Sequence, residues 1–494
     1  VSELTEIVKA NDIRGLVGSQ INERVARAFG SAFARAVLLS NPDGPPGRVI
    51  IGQDMRDSSP VLVEAFADGV TGEGADVVLI GLCSTDGLYY ASGALDAPGV
   101  MFTASHNPAS YNGMKMCRSG ARPIGLDSGL AEIRNLAQAL LDHPTWGAPD
   151  APPPVVRGTI TSQDTLLGYA EHLRGLAPLP TTRKLKIVVD AGNGMAGLTV
   201  PAVLGEAIGL AGLPLEIVPM YFELDGNFPN HEANPLDPAN LRDLQKAVPL
   251  HQADLGLAFD GDADRCFVID ERGEPVSPSA ITALVAAREI AKEQAAGRKP
   301  TVIHNLITSR TVPEVIAEHG ARAIRTRVGH AFIKVEMAKA DAVFGGEHSA
   351  HYYFRDFWFA DTGMLAALHV LAALGEQDGP LSGLVAEYER YTSSGEINSV
   401  VEDAVAATAR VAAAFADRPG VLVDDLDGLT VSHEADAASA PGLAGLWWFN
   451  LRGSNTEPLL RLNAEASDPA VMERIRDEVL GLVRVAALTT DGPR

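Results

Sequence analysis

The sequence predicts an α/β protein of four units: three similar domains with mixed, mainly parallel sheets, then a smaller α+β domain. Three observations carry this. A strand, a polar or glycine turn, a helix and a second strand recur three times at roughly domain spacing. A proline-dense stretch, 148–154, follows the first occurrence. After about residue 392 the order changes to short strands between two helices.

The three first strands are the β-rich runs 48–52, 185–189 and 300–304, each followed by a turn at 54–58, 190–194 or 308–310. Helices are expected over 60–68, 198–210 and 312–319, and second strands over 75–80, 215–219 and 321–325. Such units make right-handed crossovers between parallel strands. The run Ala-Pro-Asp-Ala-Pro-Pro-Pro at 148–154 cannot extend a helix or a central strand and reads as a stiff linker. In the tail a helix over 402–415 precedes short strands near Val421, Leu429, Leu446 and Leu459, and a helix over 469–483 closes the chain. The expected division is 1–155, 156–258, 259–385 and 386–494. A chain of 494 residues is long enough to give each unit its own core.

Composition narrows the function. Hydrophobic residues make up 46%, as in globular α/β proteins, and 63 acidic against 40 basic residues leave a formal charge of −23. That balance argues against bulk nucleic-acid or anionic-membrane binding, so an anionic substrate needs a locally basic cleft. Three scattered cysteines, Cys83, Cys117 and Cys266, suit buried thiols in a reducing cytoplasm better than disulfides or a zinc cluster. The acidic opening Ser2-Glu3-Leu4-Thr5-Glu6 is unlike an export signal. The apolar stretch 364–375 contains His369, is too short to span a bilayer, and reads as a buried helix.

Two segments point to phosphoryl transfer. In Thr103-Ala104-Ser105-His106-Asn107-Pro108, Ser105 follows an apolar run, and Pro108 disfavours helix at Asn107, so the hydroxyl is expected on a tight turn at a strand's end. In Asp260-Gly261-Asp262-Ala263-Asp264-Arg265, three carboxylates leave the buried strand 255–259, where open α/β sheets bind ligands. Alternate spacing lets them converge on one ion; without a cation they repel, and a small all-oxygen set suits Mg²⁺ completed by phosphate. An EF-hand reading fails because Arg265 stands where the turn needs glycine, and 266–270 reads as a strand. A haloacid-dehalogenase-like site, with Asp260 as nucleophile and Asp262 as acid, is a local resemblance that leaves Ser105 idle.

Two further loops suit a phosphosugar. Arg452-Gly453-Ser454-Asn455-Thr456, with Arg461 nearby, offers a bidentate guanidinium and several donors for phosphate. Gly346-Glu347-His348-Ser349 offers Glu347 and Ser349 to sugar hydroxyls.

Together these four motifs resemble the α-D-phosphohexomutase family, most closely its bacterial phosphomannomutase/phosphoglucomutase branch, over nearly the whole chain and in the family's order. The resemblance implies a heart-shaped protein of four domains around a central cleft. It implies that Ser105 is phosphorylated and that Ser105, Asp260, Asp262 and Asp264 bind Mg²⁺. Glu347 and Ser349 would hold the sugar, and Arg452, Ser454, Asn455, Thr456 and Arg461 the phosphate. Asp12-Ile13-Arg14-Gly15, Asn112-Gly113-Met114-Lys115 and Val328-Gly329-His330 resemble further family segments, adding Arg14, Lys115, Gly329 and His330, though singly such residues read as solvated surface. His106, Arg14 and Lys115 are candidates for proton transfer, and Arg265 and Lys115 for charge stabilisation. Asn11 and Ile307 depart from the family's usual aromatic and basic residues, which touches substrate contacts rather than chemistry.

The implied activity is reversible transfer between hexose 1-phosphate and hexose 6-phosphate, of mannose, glucose or both, with glucose 1,6-bisphosphate as activator. The alternatives are a phosphoglucosamine or N-acetylglucosamine phosphomutase, a phosphatase using the same site, and a non-catalytic phosphosugar-binding protein. The expected partner is a small phosphosugar, without nucleic acid or membrane; oligomeric state is not legible.

Overall fold

A computed structural model describes residues 3–39, 47–143, 146, 156–434, 445–453 and 459–484, with backbone alone at 330 and 331. The linker expected at 148–154 lies outside the described residues.

The first sheet contains β1 (Ile13–Leu16), β2 (Arg48–Gln53), β3 (Asp76–Leu82), β4 (Gly99–Phe102), β5 (Tyr111–Arg118), β6 (Arg122–Pro123) and β7 (Ile160–Ser162). Their order is β1-β5-β4-β2-β3-β7, with β6 on β5; the strands from β4 to β7 run parallel and β5 turns back against β4. The second holds β8 (Leu185–Asp190), β9 (Leu215–Met220), β10 (Leu255–Phe259), β11 (Cys266–Asp270) and β12 (Pro275–Val276), ordered β12-β11-β10-β8-β9. The third holds β13 (Thr301–Asn305), β14 (Arg322–Thr326), β15 (Phe344–Gly346), β16 (Tyr352–Phe354) and β17 (Ala360–Asp361), ordered β14-β13-β15-β16-β17. Both repeat one plan: three parallel strands, then antiparallel ones. The fourth is wholly antiparallel, β18 (Thr392–Val400), β19 (Val421–Asp424), β20 (Leu429–His433), β21 (Trp447–Gly453) and β22 (Leu459–Ala466) in the order β18-β22-β21-β20-β19. The expected fold class is thus observed.

Local signals set some of the boundaries. The closing helix runs Pro469–Val483 because Asp468 accepts from the amides of Ala470 and Val471, and Pro469 needs no donor at the first position. Two elements differ from expectation. The helix expected over 198–210 spans Ala196–Val203, since it carries Pro201, and the chain after it turns through Gly205 and Gly209, the latter at φ +81°. Residues 392–400, given no element from the sequence, form the edge strand β18; their Ser- and Gly-rich, mostly exposed sequence hides the pairing with β22.

The second and third sheets share one hydrophobic core, whereas the first and fourth have their own. Helix Gly363–Gly375 is buried along its whole length, as read from sequence, with His369 stacked on Phe354 at 5.4 Å. All three cysteines are buried and unpaired by disulfides. No described helix is long and apolar enough to cross a membrane. Every residue of β10 is buried; at roughly 1.5–3 kcal/mol per buried Leu or Phe, this strand is a rigid base for the loop that follows it.

Candidate active site

Ser105 sits just past β4 in the left-handed region, φ +50°, a conformation that costs a non-glycine residue of order 1–3 kcal/mol and persists only when its surroundings impose it. Arg56 imposes it. The Arg56 side chain is 1% exposed and all five of its N–H groups are used. Nε donates to Asp54 Oδ2 at 3.1 Å, and Nη1 to the carbonyls of Pro108 and Tyr111, both at 2.9 Å. Nη2 donates to the carbonyls of Ser105 at 2.9 Å and Asn107 at 2.6 Å. Thr103 Oγ1 accepts from the Ser105 amide at 2.8 Å. From the second unit, Phe228 lies 5.2 Å beneath the guanidinium.

The aspartates occupy the hairpin between β10 and β11 and are all buried. Ser105 Oγ donates to Asp260 Oδ2 at 3.0 Å, so hydroxyl and acidic loop meet across two sheets. That approach needs Gly261: a Cβ there would lie 2.5 Å from the Ser105 carbonyl oxygen. Arg265 donates to Asp260 from its amide (3.1 Å) and Nε (2.9 Å), and reaches His106 Nδ1 at 2.7 Å. Lys115 Nζ bridges Asp262 Oδ2 at 2.7 Å and Asp264 Oδ2 at 2.5 Å. Thr85, at a helix start in the first unit, donates its hydroxyl to Asp262 Oδ2 at 2.5 Å and its amide to the Asp262 carbonyl at 3.0 Å.

These contacts leave Asp262 Oδ1 and Asp264 Oδ1 buried with no hydrogen-bond partner among the described residues. Oxygens of all three aspartates lie within 4.8 Å of one another. Orphaned buried carboxylate oxygens in a hard, all-oxygen set fit Mg²⁺. Without a cation, burial pushes Asp260 up to about 7 against the pull of Arg265. Burial also opposes ionisation of Asp262, but Lys115, Thr85 and Ser105 together hold it below the usual carboxylate range. Lys115 stays charged, because Asp262 and Asp264 outweigh its burial. Burial and then Arg265 lower His106 well below its ordinary value, leaving the imidazole neutral beside Ser105 Oγ at 3.2 Å.

A pocket of about 70 Å³ is lined by Arg14, Ser105, His106, Lys115, Asp264 and Arg265, together with Tyr89, His351 and Asp361. Arg14 is held by Asp12 Oδ2 at 2.7 Å and Asn107 Oδ1 at 2.6 Å. Sequence reasoning missed Arg56, Thr85 and Asp361, and gave His351 no role. His351 Nδ1 lies 3.0 Å from Asp361 Oδ2, and the buried Lys334 Nζ lies 2.6 Å from Asp361 Oδ1 and 4.1 Å from the Tyr89 ring. The one local signal was the Asp54-x-Arg56 pair in a turn after a strand.

Among the described residues, Glu347, Ser349, Arg452 and Arg461 do not line this pocket, although His351, from the same loop as Glu347, does. Glu347 is buried and engaged internally, accepting from Asn305 Nδ2 (3.1 Å), the Gly329 amide (3.2 Å) and the Tyr353 hydroxyl (2.8 Å), while Ser349 is half-buried. Arg452 and Arg461 both contact Glu396. Ser454, Asn455 and Thr456, and the side chain of His330, lie outside the described residues. Ile307 lines a separate cavity of about 250 Å³ between the third and fourth units, with Ser309, His348, Trp448 and Glu465.

Known proteins share this architecture. Models of phosphoglucomutase/phosphomannomutase α/β/α domains I, II and III match residues 5–141, 168–273 and 278–391, and that of the C-terminal domain matches 396–482. The chain is 41% identical over 479 residues to a protein of Xanthomonas campestris described as "Phosphohexose mutases", covering 96% of this chain and 98% of that one. It is 37% identical over 480 residues to an Escherichia coli phosphomannomutase, with the same coverage. A Burkholderia thailandensis phosphoglucomutase/phosphomannomutase family protein superposes with TM-score 0.80 at 28% identity, over 97% of this chain and 96% of that one. An Aspergillus fumigatus N-acetylphosphoglucosamine mutase, solved with GlcNAc-6P and magnesium, shares the fold, with TM-score 0.60 at 15% identity over 97% and 96% of the two chains. Four matched domains in sequence and near-complete coverage leave one conclusion: the chain belongs to the phosphoglucomutase/phosphomannomutase family.

Proposed function

We propose that this chain is a hexose phosphate mutase, an isomerase that moves a phosphoryl group between O1 and O6 of mannose and glucose phosphates through phosphorylated Ser105. The observation that carries the site assignment is the Ser105 hydroxyl 3.0 Å from Asp260, beside two buried carboxylate oxygens without partners. Phosphorylated Ser105 donates its group to the free hydroxyl of a hexose monophosphate, whose proton passes to a base. The bisphosphate then turns round, and Ser105 recovers the other phosphoryl group. Asp260, Asp262 and Asp264 would hold Mg²⁺, which when bound supplies positive charge to the transferring group. Arg265 fixes Asp260 and reaches His106, and Lys115 brings a permanent charge. His106, Arg14 and Lys115 are the candidates for proton transfer, and His106 Nδ1, 3.2 Å from Ser105 Oγ, already accepts from Arg265; Arg14, Lys115 and the His351–Asp361 pair line the same pocket. Glu347, Ser349, Gly329 and His330 are assigned to the sugar, and Arg452, Arg461, Ser454, Asn455 and Thr456 to the phosphate that is not being transferred. Glucose 1,6-bisphosphate as activator and a cytoplasmic location complete the reading.

Glu347 and Ser349 in the family's role hold O3 and O4, which glucose and mannose present identically. Such a site reads little at C2. The expected outcome of a coupled assay is kcat/KM for mannose 1-phosphate and glucose 1-phosphate within about tenfold, or ~1.4 kcal/mol, of each other, and poor use of N-acetylglucosamine 1-phosphate. A strong preference for the N-acetyl sugar assigns the chain to aminosugar phosphates instead. Hydrolysis without isomerisation marks it as a phosphatase.

A further inference from the structure

Arg452 and Arg461 face each other directly across β21 and β22. Like charges at such a position repel, so the free protein must neutralise them. Glu396, on β18 at the other side of β22, bridges the two guanidiniums: its Oε2 accepts from Arg452 Nη2 at 3.3 Å and its Oε1 from Arg461 Nη1 at 3.2 Å. One anion thus takes one N–H from each guanidinium through separate oxygens, as a phosphate would.

The strand is built to aim this carboxylate. Pairing between β18 and β22 slips between Ser393 and Glu396, with Gly395 at φ +65° and Ser394 Oγ accepting from the Ala464 amide at 3.0 Å. Such a bulge re-aims the side chain that follows it. Beyond it Glu396 pairs with Asn463, two residues from Arg461 and therefore on the same face, while Leu460 and Leu462 enter the core. Nε of Arg452 and Nε of Arg461 are both buried and without a hydrogen-bond partner among the described residues. Unsatisfied guanidinium donors are costly, so Glu396 leaves the pair incompletely served.

We propose that Glu396 is the resident counter-ion of the phosphate clamp. It holds both guanidiniums in place in the free protein and competes with the non-transferring phosphate, so that the bisphosphate is not gripped too firmly to turn. Binding of substrate exchanges one anion for another at the same pair of arginines, and release reverses it. The inference rests on the assignment of Arg452 and Arg461 to phosphate.

The test uses the full chain and inorganic phosphate as probe. Glu396→Gln keeps the size and one acceptor oxygen while removing the charge. The inhibition constant for phosphate and KM for hexose 1-phosphate are each expected to fall about five- to tenfold, with a lower kcat because turning of the bisphosphate is slowed. Phosphate affinity that is unchanged or weaker in E396Q overturns the proposal, weaker binding identifying Glu396 as mere support for the arginines. Glu396→Asp, which keeps the charge, should stay within about twofold of the parent affinity, and a gain as large as that of E396Q also overturns it. Arg452→Ala is run alongside. If R452A binds phosphate as the parent does, the clamp assignment itself fails; if R452A weakens binding and E396Q leaves it unchanged, only the counter-ion role fails.

Discussion

Replacing Arg56 with lysine should leave the substrate contacts intact and cripple turnover. Lysine keeps the charge beside Asp54 but offers three donors from one nitrogen, so at least two of the four loop carbonyls now served by Nη1 and Nη2 lose their partner. At about 1–3 kcal/mol per buried group left unsatisfied, the loss of stability is roughly 2–4 kcal/mol once relaxation is allowed. The functional loss is larger in proportion, because these bonds, with that of the Ser105 amide to Thr103 Oγ1, hold the left-handed backbone of Ser105. A displacement of about 1 Å at the phosphoryl carrier costs on the order of 10²-fold in kcat. KM for hexose 1-phosphate should change less than about threefold, since no described residue proposed to hold the sugar or the phosphate bonds to Arg56. Urea unfolding checks the stability, and the coupled mutase assay at saturating substrate checks the turnover. A folded R56K protein whose kcat lies within about threefold of the parent would refute the reasoning.

Two further outcomes follow from the buried charges. Asp262→Ala removes a proposed ion ligand and leaves Lys115 with Asp264 alone, so Mg²⁺ affinity measured by calorimetry should drop and kcat fall by about 10²-fold or more; near-normal turnover without added Mg²⁺ would sink the metal assignment. Asp86 accepts from the Thr362 hydroxyl at 2.7 Å, from the Tyr169 hydroxyl at 2.8 Å, and from Ser84, joining three units, yet burial pushes it up to about 7. Because the folded value lies above the unfolded one, its contribution to stability is full below about pH 4 and is lost as pH rises through about 7, by up to ~4 kcal/mol. Parallel decline of Tm between pH 5 and pH 8 in the parent and in Asp86→Asn would contradict this; the parent should decline more steeply.

The parts of the site legible in the sequence are those whose chemistry is local. The three aspartates stand at alternate positions after an apolar strand, so their neighbours point to them, whereas Ser105, in a turn before Pro108, gains its reading only beside that acidic segment. The supporting residues answer to distant partners. Arg56 acts 49 residues away on Ser105, and Thr85 acts 177 residues away on Asp262, so each reads locally as a turn or cap residue. Glu396 was hidden twice, by a partner 56 residues distant and by the Ser- and Gly-rich strand that carries it. Hydrophobic periodicity recovered the three strand-helix-strand units but overran the helix Ala196–Val203, where glycines rather than the apolar pattern set the end. Glu347 was legible as polar, but its use in tying Gly329, Asn305 and Tyr353 together required the folded third sheet.

In the proposed cycle Ser105 carries the phosphoryl group. The most direct measurement of this is intact mass and peptide mapping of the protein after incubation with glucose 1,6-bisphosphate and Mg²⁺. The expected result is one added phosphate, stable to acid, on the peptide containing Ser105, and lost from it when hexose monophosphate is supplied in excess. An acid-stable phosphate elsewhere, or a hydroxylamine-sensitive acyl phosphate on Asp260, would contradict it.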